Sequence, residues 1–183
     1  MKGLIVYSSK TNNTRRMAEA IFHRLQQDHD LDFLTTGAVG SLSGYDFVLV
    51  GGYNDKNVLD RASREFLERG GFPHLGIFAT AGAGSDTEPG KEFLSYLQGL
   101  LPEDSLGCYL CPGKVSPMLY RGIKLVPAAL LGMVRKDLRN SLSSKEVKEN
   151  LLKFCEASRE ATDQELEAAA EYFEKAIQTV KEG

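Results

Sequence analysis

No apolar run in this chain reaches the ~18 residues that a bilayer span requires, so none is expected to cross a membrane. Blocks of like charge and a basic tail are also missing. Lys and Arg number 22 against 25 Asp and Glu, and the resulting formal charge of −3 offers nothing global for a nucleic acid to bind. Cysteine is scarce, at three residues. An odd count without a secretory context points to reduced thiols and away from a disulfide framework. Cys108 and Cys111 stand three apart in an apolar run, and on a strand that spacing sends them to opposite faces, which argues against a redox dithiol. The three histidines, His23, His29 and His74, are scattered with no carboxylate or cysteine partner for ligation, so no metal site is expected. The apolar pattern starts directly after Met1-Lys2, which leaves no room for a cleavable leader; a cytoplasmic protein is expected.

What the chain does hold is a regular alternation of short apolar runs and helical stripes. Its 183 residues suit a single domain over 1–183, burying roughly 70% of the unfolded surface. Leu4-Ile5-Val6-Tyr7 reads as a buried first strand, and it ends abruptly in Ser8-Ser9-Lys10-Thr11-Asn12-Asn13-Thr14. A helix from about Arg15 carries Met17, Ala18, Ile21, Phe22 and Leu25 at helical spacing. Leu31–Thr35 and Tyr45–Val50 supply two more strands, the latter nearly all apolar, as a strand covered on both faces should be. A loop, Tyr53–Asn57, follows Gly51-Gly52 and leads into a helix with Val58, Ala62, Phe66 and Leu67. Leu75–Thr80 is the fourth strand, followed by the loop Ala81–Asp86 and a helix from about Glu88. Ser105–Cys111 is the fifth strand, and a helix with Leu166, Ala169, Ala170, Phe173 and Ile177 on one stripe completes the last unit. Strict alternation of this kind predicts a parallel sheet with helices on both faces.

Residues from about 114 to 160 stand outside the repeat as an apolar and basic helical insertion. Pro127 is expected to break or kink its first part. Between Lys114 and Lys148 eight cations (Lys114, Arg121, Lys124, Arg135, Lys136, Arg139, Lys145, Lys148) face two carboxylates, Asp137 and Glu146, an excess of about six positive charges.

The hydroxyl- and amide-rich stretch after the first strand has the chemistry of an anion cradle. Ser9, Thr11 and Thr14 offer donors, Asn12 and Asn13 tolerate left-handed backbone, and the amides opening the helix have no intrahelical acceptor. It resembles the phosphate loop of flavodoxins, a Ser/Thr-x-Thr-Gly-x-Thr pattern around the FMN phosphate. Ser9, Thr11, Asn13 and Thr14 match it, Asn12 replaces the glycine, and Lys10 is a departure. That resemblance implies a flavodoxin-like three-layer α/β/α sandwich with a five-stranded parallel sheet in order 2-1-3-4-5 and the insertion after strand five. It places the isoalloxazine at the loops after strands three and four. The implied FMN-binding residues there are Gly52, Tyr53, Asn54 and Asp55, with Thr80, Ala81, Gly82, Ala83, Gly84 and Asp86. Tyr53 is the one aromatic in these ring loops and the candidate to stack on the ring. Either Gly52 or Asn54 could turn a carbonyl toward flavin N5. The 81–84 loop has no aromatic, so one ring face needs another cover, a partner or the insertion. Later features are similar to a small flavodoxin-domain group of the BilS type, associated with bilirubin reduction. They are Gly51-Gly52-Tyr53, Asp55-Lys56, Gly84-Ser85-Asp86-Thr87-Glu88 and Cys111-Pro112-Gly113-Lys114.

The implied function is an FMN-dependent redox protein that shuttles electrons to a partner reductase, such as a tetrapyrrole or bilirubin reductase. Electron transfer with a donor or acceptor protein is favoured over a stand-alone oxidoreductase, and no catalytic side chain is assigned. Two alternatives compete with it. One is a flavoenzyme of the quinone-coupled protoporphyrinogen oxidase or quinone/FMN reductase type, with residues 114–139 touching a membrane or a carboxylated tetrapyrrole. The other is a flavodoxin fold without FMN that serves as an interaction module.

Overall fold

The computed structural model describes residues 1–134 and 142–182. Its elements are β1 (Lys2–Tyr7), α1 (Asn13–Leu25), β2 (Asp30–Thr35), β3 (Phe47–Asp55), β4 (Val58–Leu59), α2 (Arg61–Leu67) and β5 (Leu75–Ala81). They continue with α3 (Glu88–Gln98), β6 (Gly107–Pro112), α4 (Pro117–Leu125), α5 (Ala128–Val134), α6 (Ser144–Ala157) and α7 (Asp163–Glu182). Five strands pair in the order β2-β1-β3-β5-β6, all parallel, and the two-residue β4 pairs antiparallel with β3 off that path. Leaving β4 aside, this is the expected 2-1-3-4-5 order.

The central strands are apolar without alternation because both faces are covered. Leu4, Ile5 and Val6 are consecutive and fully buried. On one side Ile5, Leu49 and Phe78 meet Met17, Ile21 and Leu25 of α1 and Ala169, Phe173 and Ile177 of α7. On the other, Leu4, Val6, Val48 and Val50 pack on Phe66 of α2, while Ile77, Ala79 and Leu110 pack on Phe93 and Leu97 of α3. Cys108 joins the α3 side and Cys111 the α1/α7 side, the opposite placement that the spacing of three predicts. Burial pushes their thiols up to about 11 and about 12 respectively.

Two sequence expectations need correction. The stretch 53–57 is not a free loop and Val58 is not helical. β3 runs on to Asp55, turns through Lys56 and Asn57 at φ 59° and 65°, and returns as β4. A two-residue turn with positive φ at both centres matches the right-handed twist of the strands it joins, and here non-glycine residues adopt it. Consequently α2 starts at Arg61, leaving Ala62 exposed and giving the inward position to Ser63.

Among its described residues the insertion holds three helices. α4 and α5 are separated at Val126-Pro127, where Val126 is held extended (φ −75°, ψ 131°), the conformation that a following proline imposes. α6 opens with a reciprocal cap between Ser143 and Glu146. It is tied to α4 by Lys148, whose Nζ donates to the carbonyls of Lys124 (2.9 Å) and Val126 (2.8 Å), and by Tyr120 Oη, which donates to Glu156 at 2.6 Å. Arg135, Lys136, Asp137 and Arg139, counted in the basic excess, lie outside the described residues.

Candidate cofactor site

The turn from β1 into α1 has the construction expected of an anion cradle. Asn12 sits at φ 65°, the left-handed region, and its own side chain makes no capping bond to the helix that begins at Asn13. Asparagine is the non-glycine residue best suited to that angle, which accounts for its presence where the flavodoxin pattern has glycine. The Asn13 and Thr14 amides at the start of the helix therefore keep the donor capacity and partial positive charge that attract an anion. Ser9 Oγ accepts the Arg15 amide at 3.4 Å and Thr11 Oγ1 accepts the Asn13 side chain at 2.7 Å. Both hydroxyls act as acceptors within the loop, so each retains its own proton for an outside acceptor.

Thr14 is placed differently from its neighbours. It is 1% exposed, its hydroxyl donating to the Gly52 carbonyl at 3.2 Å and lying 3.1 Å from Thr80 Oγ1. This hydroxyl joins the start of α1 to the ends of β3 and β5 and does not point into the loop's opening. Asn13, likewise buried, donates to the Lys114 carbonyl at 3.0 Å and ties the turn to the start of the insertion. Lys10 is exposed beside them.

The ring-side loop rests on a buried carboxylate. Asp60, 1% exposed, accepts the Tyr53 amide (3.1 Å), the Ser63 hydroxyl (2.8 Å) and the Ser63 amide (3.2 Å), while its own amide donates to the Tyr53 carbonyl at 2.9 Å. Ser63 Oγ also lies 3.0 Å from the Gly51 carbonyl. This cluster explains Gly52, because a Cβ there would lie 2.5 Å from Asp60 Oδ2 and 2.8 Å from Ser63 Oγ. Asp60 went unremarked in the sequence, although an Asp before a helical stripe is an N-cap signal. Burial, and then the charges of Asp60 and Asp55, push the Tyr53 phenol up. Asn54 Oδ1 accepts the Asn57 amide at 2.8 Å and fastens the β3–β4 turn.

The loop after β5 is covered by the insertion. A Cβ on Gly82 would lie 2.6 Å from the Phe154 ring of α6 and 3.1 Å from Val115, so only glycine lets α6 lie this close. Between these loops and α4 opens a cavity of about 450 Å³, within the range usual for small-molecule sites. Of the residues proposed from sequence, Lys10, Thr11, Asn13, Tyr53, Asn54, Asp55, Thr80, Ala81 and Gly82 line it. Ser9 and Asn12 shape the turn beneath, Gly52 and Thr14 are buried behind the wall, and Ala83 lies outside the lining. Gly84 and Asp86 face a separate recess of about 100 Å³ with Cys111, Arg159 and Glu165. The far wall is Lys114 together with Met118, Leu119 and Gly122 of α4, part of the insertion named as one possible cover for the ring, although these residues were not singled out for the site. Nothing local marks those residues, since they reach the cavity only because α4 folds back over the strand ends.

A helix start that the Asn12 side chain leaves uncapped, two hydroxyls with protons to donate and a slot flanked by one tyrosine and an apolar helix fit a ligand with a phosphate and a flat ring. Comparison with known proteins identifies the family and the fold. The flavodoxin-like domain-containing protein BilS of Clostridioides difficile (strain CD3) is 30% identical over 122 residues, which is 63% of this chain and 68% of that protein. Among solved structures, a flavodoxin from the domain Archaea superposes with a TM-score of 0.55 at 15% identity over 99% of both chains. A WrbA-like flavodoxin from Agrobacterium tumefaciens gives 0.54 at 16% identity, covering 99% of this chain and 98% of the other. The flavodoxin domain profile matches residues 4–174, nearly the whole chain, and the protein is therefore a member of the flavodoxin-domain family.

Proposed function

We propose that this protein binds FMN in the cavity between the β1, β3 and β5 loops and the insertion, and passes electrons to a partner reductase. The observation that carries the reading is the convergence on one cavity of the start of α1 at Asn13, with Lys10 and Thr11 before it, and a half-buried tyrosine near the end of β3. Bound FMN supplies the capacity to accept and release electrons singly or in pairs. The chain's part is binding and electrostatics. The Asn13 and Thr14 amides of α1, with the hydroxyls of Ser9 and Thr11, would hold the phosphate. Tyr53 offers the ring one face, while Leu119 and the stem of Met118 supply apolar surface at the rim of the other wall. Of the two backbone candidates for flavin N5, the Gly52 carbonyl already accepts from Thr14, which favours Asn54.

The C. difficile relative supports placing the chain among flavodoxin-like proteins; from the BilS-type resemblance of the later loops, a tetrapyrrole or bilirubin reductase is the specific acceptor we favour. The site is taken to work in the cytoplasm, consistent with three free thiols. A second reading, a flavoenzyme acting on a bulky apolar substrate, is favoured by the Met118/Leu119 wall, because that surface could equally line a substrate channel.

Titration of the purified chain with FMN, followed by quenching of flavin fluorescence, tests the proposal. Saturable one-to-one binding that falls at least tenfold in Ser9→Ala/Thr11→Ala is expected. Absence of binding would leave the fold as an interaction module without FMN. Reduction of the loaded protein by NAD(P)H only after a reductase is added would favour the carrier, and turnover of a quinone or porphyrinogen by the isolated chain would favour the flavoenzyme.

A further inference from the structure

From Ser105 to Lys136 the sequence contains no Asp or Glu, in a chain that has 25. The described part of this stretch after β6 includes α4 and α5, and there the usual distribution of apolar residues is inverted. α4 buries Ile123 alone, while Met118 is 82% exposed, Leu119 55%, Leu125 84% and, on α5, Leu130 52%. Met118, Arg121 and Leu125 follow one another at spacings of three and four and share one stripe of the helix. Lys124 stands beside them with its ammonium 4.7 Å from the centre of the Tyr120 ring. Among the described residues no carboxylate forms an ion pair with Lys114, Arg121 or Lys124.

The orientation of α4 is fixed at both ends. Ser116 Oγ accepts the Met118 amide, and Lys148 takes the carbonyls of Lys124 and Val126. Tyr120 is held by Glu156. The apolar stripe thus faces outward on a helix that the domain already holds. An outward apolar stripe flanked by cations, on a segment free of acids, has the pattern of a helix that lies in a membrane interface. A protein partner is a poorer match. The stripe has no aromatic anchor and is flanked by lysine, whereas the cores of protein interfaces are enriched in aromatics and depleted in lysine. No described helix is long and apolar enough to cross a bilayer, so the contact would be peripheral.

We propose that the α4–α5 ridge docks this protein on an anionic lipid surface, with Met118, Leu125 and Leu130 entering the headgroup layer and Lys114, Arg121 and Lys124 meeting the lipid phosphates. Met118 and Leu119 also line the cavity, so docking brings the cavity mouth to the lipid. Only that consequence rests on the FMN reading; the docking itself does not.

The chain has no tryptophan, so Leu125→Trp introduces a single emission reporter, and Leu130→Trp a second. Each is titrated with phosphatidylcholine vesicles, with and without phosphatidylglycerol, and with vesicles carrying brominated lipid. The expected result is a blue shift and bromine quenching with the anionic vesicles, weakened by added salt and nearly absent with phosphatidylcholine alone. Arg121→Gln with Lys124→Gln in the reporter background should lower partitioning about 30-fold, near fivefold per cation. Emission unchanged in both reporters would overturn the proposal and leave the ridge to a protein partner. An equal shift with neutral vesicles would overturn it as an anionic-surface site. Circular dichroism and FMN titration of the same variants report separately on folding and on the cofactor site, so failure of docking is not confused with failure of FMN binding.

Discussion

Replacing Asp60 by alanine tests whether the ring-side loop is anchored by a buried carboxylate. The side chain accepts three hydrogen bonds, from the amides of Tyr53 and Ser63 and from the Ser63 hydroxyl, and it caps α2. The hydroxyl has a second acceptor 3.0 Å away in the Gly51 carbonyl, so its loss of Asp60 is cushioned. The two amides have no such substitute. A buried donor left without a partner costs about 1–3 kcal/mol. Part of this is the lost cap, itself worth about 1 kcal/mol, and part is offset because a buried charge is removed as well. The expected loss is about 3 kcal/mol, a large share of the roughly 5–15 kcal/mol available to a domain. Asp60→Asn keeps an acceptor oxygen and a good cap. Because the Tyr53 amide is bound by Oδ2 and the Ser63 amide by Oδ1, either orientation sets the new NH2 against one backbone N–H while the other amide keeps its partner, so about 1–2 kcal/mol is expected, less than for alanine. Urea unfolding followed by circular dichroism measures both, reading the midpoint at constant m. A loss under about 1 kcal/mol for Asp60→Ala, or equal losses for the two variants, would refute the anchor. Where FMN binds, affinity should fall at least tenfold in Asp60→Ala and stay within a few-fold in Asp60→Asn.

Other predictions follow from single contacts. Asn12→Gly should leave stability within a few tenths of a kcal/mol, whereas Asn12→Ala should cost about 1–2 kcal/mol because φ 65° crowds a Cβ that lacks a polar side chain to compensate; urea midpoints decide. Gly82→Val should push the Phe154 ring of α6 away from the end of β5 at a cost of about 1–3 kcal/mol and, because position 82 lines the cavity, weaken flavin binding. Phe154→Ala should relieve most of that cost, and a double-mutant cycle without coupling would contradict it. The Arg159 guanidinium, with the Thr162 amide, holds Glu165 down to about 2 from its ordinary 4.5. A carboxylate depressed in the folded state stabilises above its unfolded value, so the contribution is present above about pH 4.5 and is lost as pH falls toward 2. Arg159→Leu should flatten the acid limb of a stability–pH curve in that window, and an unchanged limb would remove the pair from the account.

Several features were legible in residue order. The fully apolar runs at Leu4–Val6 and Phe47–Val50 announced strands covered on both faces. Pro127 announced the break between α4 and α5, and the odd spacing of Cys108 and Cys111 announced opposite faces. The turn at Ser9–Thr14 announced its chemistry through its hydroxyls and amides. The β3–β4 hairpin stayed hidden because Lys56 and Asn57 take positive φ without glycine to signal it. Asp60 looked like an ordinary polar residue between two elements, and the misplaced start of α2 at Val58 concealed its role as a cap. Thr14 carried the right side chain for the anion loop, yet its hydroxyl turns inward to Gly52 and Thr80, residues that no local pattern pairs with it.

Sequence alone therefore determined the alternation of strands and helices and the chemical character of the loops, because hydrophobic period and turn residues act over a few neighbours. Tertiary structure decided which side chains share a cavity. The contacts of Thr14 with Thr80, Asn13 with Lys114, and Gly82 with Phe154 join segments distant in the chain. They exist only once parallel crossovers bring the strand ends together and α4 and α6 fold across them, since a contact between remote residues depends on the path of all the backbone between them.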